Sequence, residues 1–412
     1  MKVKPLLAML ALPLAISSAY ADEISSAPTI TVSGFGTAAY TLSNTEDAEF
    51  ARPNQLNGVK KDAKSGPDSN FGIQATAKFN DMFSVTGQGL VRKVVVDEFV
   101  GEIAWAFAKA KVSDNVSFRL GRIGLPVYMI SDVRNVGYAN TMIRPPVEMY
   151  SQVPLEHVDG ADVVYQNSFG DTTFTAQLAL GTTSEKNKGG YTVEAGKLSS
   201  INLVAEHGPF TFRFGRTDTT INIEDSANII KVAGGLRKYG ANPALNAAYG
   251  LNAAANSIEV KDTKASFTSV GMVMDWKNIV VQAEFGKRAS DSLSIADTSS
   301  WYTMFGYRIG KFLPYYNYGS SKQDSPRSIA SLTTNPLNPL YPLTVGANAL
   351  ASQAAIQTSN SIGLRWDFYK SAALKVQMDR FSPEQGPGTF VNAKPTFKGP
   401  VNVYAVAIDF VF

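Results

Sequence analysis

Two histidines, His157 and His207, are the only imidazoles in a chain of 412 residues. His157 lies near Ser151 and Asp159 in sequence, residue types from which a nucleophile–base–carboxylate relay is built. Nearness along the chain does not make that geometry, and no GxSxG, HExxH or GxxxxGK[ST] pattern accompanies it. His207 stands beside Gly208-Pro209, where a capping or interfacial role suits it. There is no cysteine, so thiolate metal sites are excluded, while a calcium site among loop carboxylates stays open. The reading is a protein that is not an enzyme, with no catalytic residues, no cofactor and no assigned metal.

A second set of charged residues offers different chemistry. Arg119, Arg213, Arg308 and Arg365 each lie four or five residues from a turn signal, within alternating apolar and polar runs. In a tilted strand that spacing puts all four about 10 Å above one rim. Such a partial ring would act on ions through its field. Arg92, Lys78 and Lys375 occupy the same polar faces at other levels. Glu102, Glu206, Asp275, Glu284, Asp367 and Asp379 supply the opposite sign. One such arginine alone reads equally well as a solvated wall residue paired with a neighbouring carboxylate; four at one height favour a role in selectivity.

The elements that would carry these residues are strands. Alternating runs span 29–42, 70–79, 83–94, 98–112, 116–124, 159–169, 172–181, 197–207, 209–222, 263–276, 279–289, 299–311, 313–321, 357–369, 372–382 and 401–412. Sixteen is an even number, as a closed barrel of up-and-down strands needs. Tight turns follow the even strands: 80–82, 113–115, 170–171, 208–209, 277–278, 312–314 and 370–371. Long Asn-, Pro-, Ser- and Gly-rich loops follow most odd strands: 43–69, 125–158, 182–196, 223–262, 322–356 and 383–400, with 95–97 and 290–298 short. A soluble sandwich has no reason to sort its loops by rim. The stretch 243–256 suits a short helix over the mouth, and the prolines of 335–343 exclude a central strand.

Each strand has one apolar face. Phe99, Ile103, Trp105 and Phe107 share a face, as do Phe210, Phe212 and Phe214, and Ile362, Leu364, Trp366 and Phe368. The opposite faces carry Glu102, Arg213, and Arg365 with Asp367. Sixteen strands enclose a lumen too wide for side chains to fill, so the apolar faces must point outward and the charged faces must line water. Phe83, Phe210, Trp276, Phe368 and Phe412 would form a girdle near the tight turns. At the N-terminus Lys2 and Lys4 precede a short apolar run ending at Ala19-Tyr20-Ala21, so 1–21 reads as a cleaved signal peptide and 22–412 as one domain. The net charge of +3 falls to +1 once those lysines are removed, which argues against a nucleic-acid partner.

The signal peptide, the sixteen alternating runs, the long third loop and the terminal "YAVAIDFVF" together resemble the trimeric porins of Gram-negative outer membranes. The resemblance implies a sixteen-stranded antiparallel transmembrane β-barrel, all-β, with long extracellular loops and short periplasmic turns. It implies a homotrimer set in outer-membrane lipid and lipopolysaccharide, passing small hydrophilic solutes and ions by diffusion. Phe412, Phe410, Ile408 and Tyr404 fit the terminal signal that such chains present to the barrel-assembly machinery. The third loop, 125–158, would fold inward, setting Asp132 and Glu148 against the basic wall. Its tip reads Arg144-Pro145-Pro146-Val147-Glu148 instead of a Pro-Glu-Phe-Gly-Gly-type turn, which leaves room for a channel preferring small anions. An adhesin with a plugged barrel is the other reading. The chain is too short for the 22 strands and plug of a receptor barrel.

Overall fold

A computed structural model describes residues 27–95, 98–187, 189–324, 327–351 and 354–412. The signal peptide, 1–21, and the start at Asp22 lie outside the described residues, as does part of the short second loop. Sixteen antiparallel strands form a closed barrel in which every strand pairs with its sequence neighbours. They are β1 (Thr29–Ser43), β2 (Asn70–Lys78), β3 (Phe83–Lys93), β4 (Phe99–Lys111), β5 (Val116–Gly124), β6 (His157–Phe169), β7 (Thr172–Lys186) and β8 (Thr192–His207). The second half is β9 (Phe210–Ile223), β10 (Val260–Trp276), β11 (Ile279–Ser290), β12 (Thr298–Tyr307), β13 (Phe312–Gln323), β14 (Ile356–Tyr369), β15 (Ala372–Gln385) and β16 (Val401–Val411).

Closure is made by the last residues. Gly34 and Phe412 exchange backbone hydrogen bonds at 2.9 and 3.0 Å. A Cβ on Gly34 would lie 2.2 Å from the Phe412 ring, and one on Gly36 2.5 Å from the Phe410 ring. Two glycines on β1 thus leave the seats over which two rings of β16 lie. Along β16 and the residue after it, Tyr404, Val406, Ile408 and Phe412 are exposed on the outside, while Val403, Ala405, Ala407 and Asp409 are buried inside. The alternation in the sequence has the sense expected. Phe83, Trp276 and Phe368 of the expected girdle are also exposed, and Phe210 is half-buried.

Three features differ from the sequence reading. The turn between β12 and β13 is 308–311, with Gly310 at φ 60°, and Phe312-Leu313-Pro314 already belongs to β13. Glycine takes that left-handed conformation without the Cβ clash that would oppose it elsewhere. β7 and β8 run on past the expected fourth loop, which shrinks to 187–191. In β4 the pairing slips from Gln88↔Trp105 to Gly89↔Ile103, so Ala104 is an extra residue. Such a bulge reverses the facing of everything on one side of it. Ile103 and Phe99 stay outside, but Phe107 turns inward beneath Arg119, 5.4 Å from its guanidinium.

Beyond the long-loop rim, α2 (Ala227–Gly240), α3 (Pro243–Tyr249), α4 (Leu251–Ile258) and α5 (Tyr341–Ala351) pack into a small helical cap. The short helix expected in 243–256 is present as α3 and α4. Asn242 caps α3 by accepting from the Ala244 and Leu245 amides, and Pro243 fits its first turn. α2 was not foreseen, because Gly234-Gly235 interrupts its composition. Its apolar positions Ile229, Ala233 and Leu236 nonetheless recur at helical spacing and are buried with Leu251, Ile258 and Leu350.

Candidate functional site

The third loop enters the barrel instead of crossing its rim. Its base is closed by the Leu125 amide donating to the Glu156 carbonyl at 3.0 Å. Ser131 Oγ then accepts from the Val127 and Tyr128 amides, which turns the chain inward. Three polar anchors hold this first limb to the far wall. Arg213 donates to Ser269 Oγ and to the Pro126 carbonyl. Ser269 donates to the Val127 carbonyl at 2.9 Å. Glu284 accepts from the Met129 amide at 2.8 Å and from Tyr150 Oη at 3.0 Å.

The tip descends further. Lys375 Nζ lies 2.8 Å from Asp409 and donates to the carbonyls of Gly137, Asn140 and Met142. Arg365 donates to the carbonyls of Tyr138 and Asn140 and stacks on the Tyr138 ring. Tyr138 Oη donates to the Lys370 carbonyl at 2.7 Å, in the turn between β14 and β15. The loop therefore reaches from one rim to the other.

The returning limb carries Arg144 and α1 (Val147–Tyr150). Arg144 binds Asp68 of the first loop through two nitrogens, at 2.9 and 2.5 Å, and Asp379 of β15 at 2.5 Å. All three side chains are almost fully buried. Burial alone would raise the Asp68 pKa, but the adjoining guanidinium holds it below the usual carboxylate range. Burial opposes the charge on Arg144 as well, and the two carboxylates more than offset it. Glu148 is fully buried and accepts from Gln357 Nε2 at 2.7 Å, while its Oε2 has no hydrogen-bond partner. Burial pushes its pKa up to about 7.

Apolar packing fixes what these polar anchors register. Tyr128 and Tyr150 stack at 4.4 Å, and Met149 is fully buried beside them. This loop core continues into Phe267, Tyr302, Met304 and Leu313 on one wall and Ile123, Val158, Ala179 and Leu198 on the other. A wide lumen is thus partly filled with a hydrophobic core supplied by one loop.

These contacts revise the roles expected from the sequence. Arg213, Lys375, Glu284 and Glu148 are buried between wall and loop, so they anchor the loop and do not line water. Arg365 is also an anchor. Arg308 opens the β12–β13 turn and pairs with Asp275 at 2.5 Å, so it sits at the rim and not at the height of the other three. The ring of four at one level does not form. The alternation of strands was right, but it says nothing of what covers an inward face. Arg119 keeps a half-open position in a bidentate pair with Asp162. Lys78 pairs with Asp81 at the turn. His157 contacts Glu185 at 2.8 Å and Thr183 at 3.3 Å, not Ser151.

What stays open lies along β1, β3, β4 and the loop segment 131–136. A cavity of about 140 Å³ there is lined by Phe35, Gln88, Arg92, Glu102, Trp105 and Asp132, among others. Arg92 bridges Glu102 at 2.6 Å and Glu156 at 2.7 Å. Arg134 lies 2.5 Å from Glu156. Asp132 is exposed to this space and bonds no side chain among the described residues. Arg134, Glu156 and Arg144, legible in the sequence only as further charges of the third loop, turn out to be paired within the site.

No family model and no curated protein sequence matches the chain. Solved structures do. OmpF of Salmonella typhi, in complex with daunomycin, aligns at a TM-score of 0.55 and 14% identity, over 94% of this chain and 98% of that one. The fold is a porin fold. DcaP, an outer-membrane channel of Acinetobacter baumannii, aligns at 0.54 and 10% identity, over 95% and 99%. An anion-selective porin from Comamonas acidovorans aligns at 0.52 and 11% identity, over 93% and 100%. At these identities the likeness is one of backbone. The porin barrel is shared, and the loop anchors described above are this chain's own residues.

Proposed function

We propose that this porin fold is an outer-membrane channel through which small hydrophilic solutes and ions diffuse, with its selectivity set where the third loop narrows the lumen. The observation that carries this reading is the inside-out surface. Ile103, Leu120, Leu180, Phe305, Ile362 and Tyr369 are exposed on the barrel's outside, while paired arginines and carboxylates face inward. An apolar belt of that extent is stable in lipid, not in water. A structural neighbour from Vibrio cholerae is described in a trimer form, and a homotrimer is the assembly proposed here. On this reading the biogenesis partner is the barrel-assembly machinery, recognising Phe412, Phe410, Ile408 and Tyr404.

The constriction is the gap between loop residues 131–136 and the wall of β1 to β5. Arg92 and Glu102 stand on the wall, and Asp132 and Arg134 on the loop facing them, with Glu156 at the base of the loop. Opposed charges across a narrow gap orient dipolar solutes and bias ion passage. Most of these charges are paired, whereas Asp132 bonds no side chain among the described residues, so selectivity can be shifted through Asp132, on which the nearby Arg119, itself paired with Asp162, acts by its charge. Single-channel conductance in a planar bilayer, with the reversal potential in a salt gradient, tests the reading. Stepwise openings in groups of three support it. Folded barrel without conductance sinks it.

A further inference from the structure

Beside the constriction lies a second, smaller cavity, of about 50 Å³, between the first and third loops. Arg52, Arg92, Lys93 and Arg134 line it, and Glu156 is the one carboxylate among its described lining residues. That carboxylate is heavily committed. It accepts from Arg92 Nη2 at 2.7 Å and from Asn54 Nδ2 at 3.0 Å. Arg134 Nη2 approaches it to 2.5 Å but is buried and out of line for a hydrogen bond. The Arg52 guanidinium makes no hydrogen bond and no ion pair among the described residues. The carboxylate that attracts it most, Asp68, is already taken by Arg144 and Thr41. Burial first, and the neighbouring guanidiniums after it, hold Arg52 down to about 10, against the opposing pull of Asp68, and Arg134 down to about 9.

A buried guanidinium lacking an acceptor is costly, and the cost vanishes when an anion accepts its hydrogen bonds. Guanidinium forks match the oxygen spacing of carboxylate and phosphate. The cavity has room for such a headgroup and not for the body of a solute. It shares Arg92, Arg134, Asn135 and Glu156 with the larger cavity, so an ion held there stands at the edge of the constriction.

We propose that this cavity is a subsite for one oxyanion group, either a free inorganic phosphate-type ion or the terminal carboxylate of a solute, bound by Arg52 and Arg134 with Arg92 behind them. As a station on a permeation path the subsite rests on the channel reading; as a binding site it does not. Isothermal titration of the folded, detergent-solubilised protein with inorganic phosphate, and separately with acetate, at fixed ionic strength in chloride tests it. Saturable binding of either is expected, and the tighter of the two identifies the source. Arg52→Gln and Arg134→Gln should each weaken that binding at least tenfold, and Arg237→Gln on the helical cap should leave it unchanged. Absence of saturable binding by the unaltered protein overturns the proposal whatever the variants do. So does an equal loss in Arg237→Gln, which would mean diffuse attraction. Conductance in potassium chloride separates the two readings. Open channels without binding sink the subsite and leave the channel, and binding without conductance does the reverse.

Discussion

Arg144→Met should free the third loop from the wall. The guanidinium joins three parts of the molecule: Asp68 from the first loop, the third loop itself, and Asp379 from β15. It also stacks on Phe50 at 4.8 Å. Methionine keeps most of the side-chain volume but leaves two buried carboxylates without their countercharge, Asp68 held by Thr41 and Asp379 by Gln377. Breaking a buried ion pair from one side costs roughly 3–5 kcal/mol. At about 1.4 kcal/mol per tenfold, the detached loop becomes roughly two to three and a half orders of magnitude more populated. The barrel ladder does not depend on this contact, so the protein should still fold. Amide exchange read by mass spectrometry should accelerate by that factor in peptides covering 137–150 and stay unchanged in β1 to β16. Single-channel recordings should gain larger and noisier openings. If the cost comes from unpaired charge, Arg144→Met combined with Asp68→Asn and Asp379→Asn should recover most of the protection. Unchanged exchange in 137–150 for the single variant would refute the anchoring role. No recovery in the triple variant would refute the electrostatic account of it.

Glu148 makes docking of the same loop depend on pH. Burial lifts its folded pKa to about 7, above the ordinary glutamate value of 4.5, so the contribution is complete below about pH 4.5 and is lost as pH rises through 7. A shift of that size is worth about 3 kcal/mol; protection of the loop amides, measured relative to their intrinsic base-catalysed exchange, should fall from pH 5 to 8 in the native protein, and Glu148→Gln should flatten that fall. Arg119→Glu should move the reversal potential toward cation preference by clearly more than Arg308→Glu, because Arg308 lies at the rim in a pair with Asp275; equal shifts would restore the ring. Gly34→Val should slow barrel assembly in a refolding assay and lower the melting temperature, since a Cβ there meets the Phe412 ring at 2.2 Å; normal assembly would show that ring to be free to move.

The sequence by itself determined the barrel. Sixteen alternating runs, separated by turns of matched length, fix the number of strands, their antiparallel order and the outward sense of Ile362, Phe305 or Ile408, because strand side chains have a period of two and each apolar face needs one environment. The closing strand was equally plain: Tyr404 to Phe412 alternates without interruption. Two local signals were weaker. The bulge at Ala104 costs one residue of phase, and nothing in "AWAFAKA" marks it, so Phe107 faced the wrong way on paper. Gly310 was a legible turn residue, yet the apolar run around it hid the boundary and lifted Arg308 to a height it does not have.

Only the tertiary structure decided which inward charges meet water. Arg213, Lys375 and Glu284 have the same alternating context as Arg119, and no local pattern separates them. Their fate depends on a loop whose contacts lie 87, 238 and 155 residues away in sequence, and whose carbonyls and amides they satisfy once it folds into the lumen. Burial in a barrel wall is a property of the strand, whereas burial beneath a loop is a property of contacts that the period of the strand does not encode.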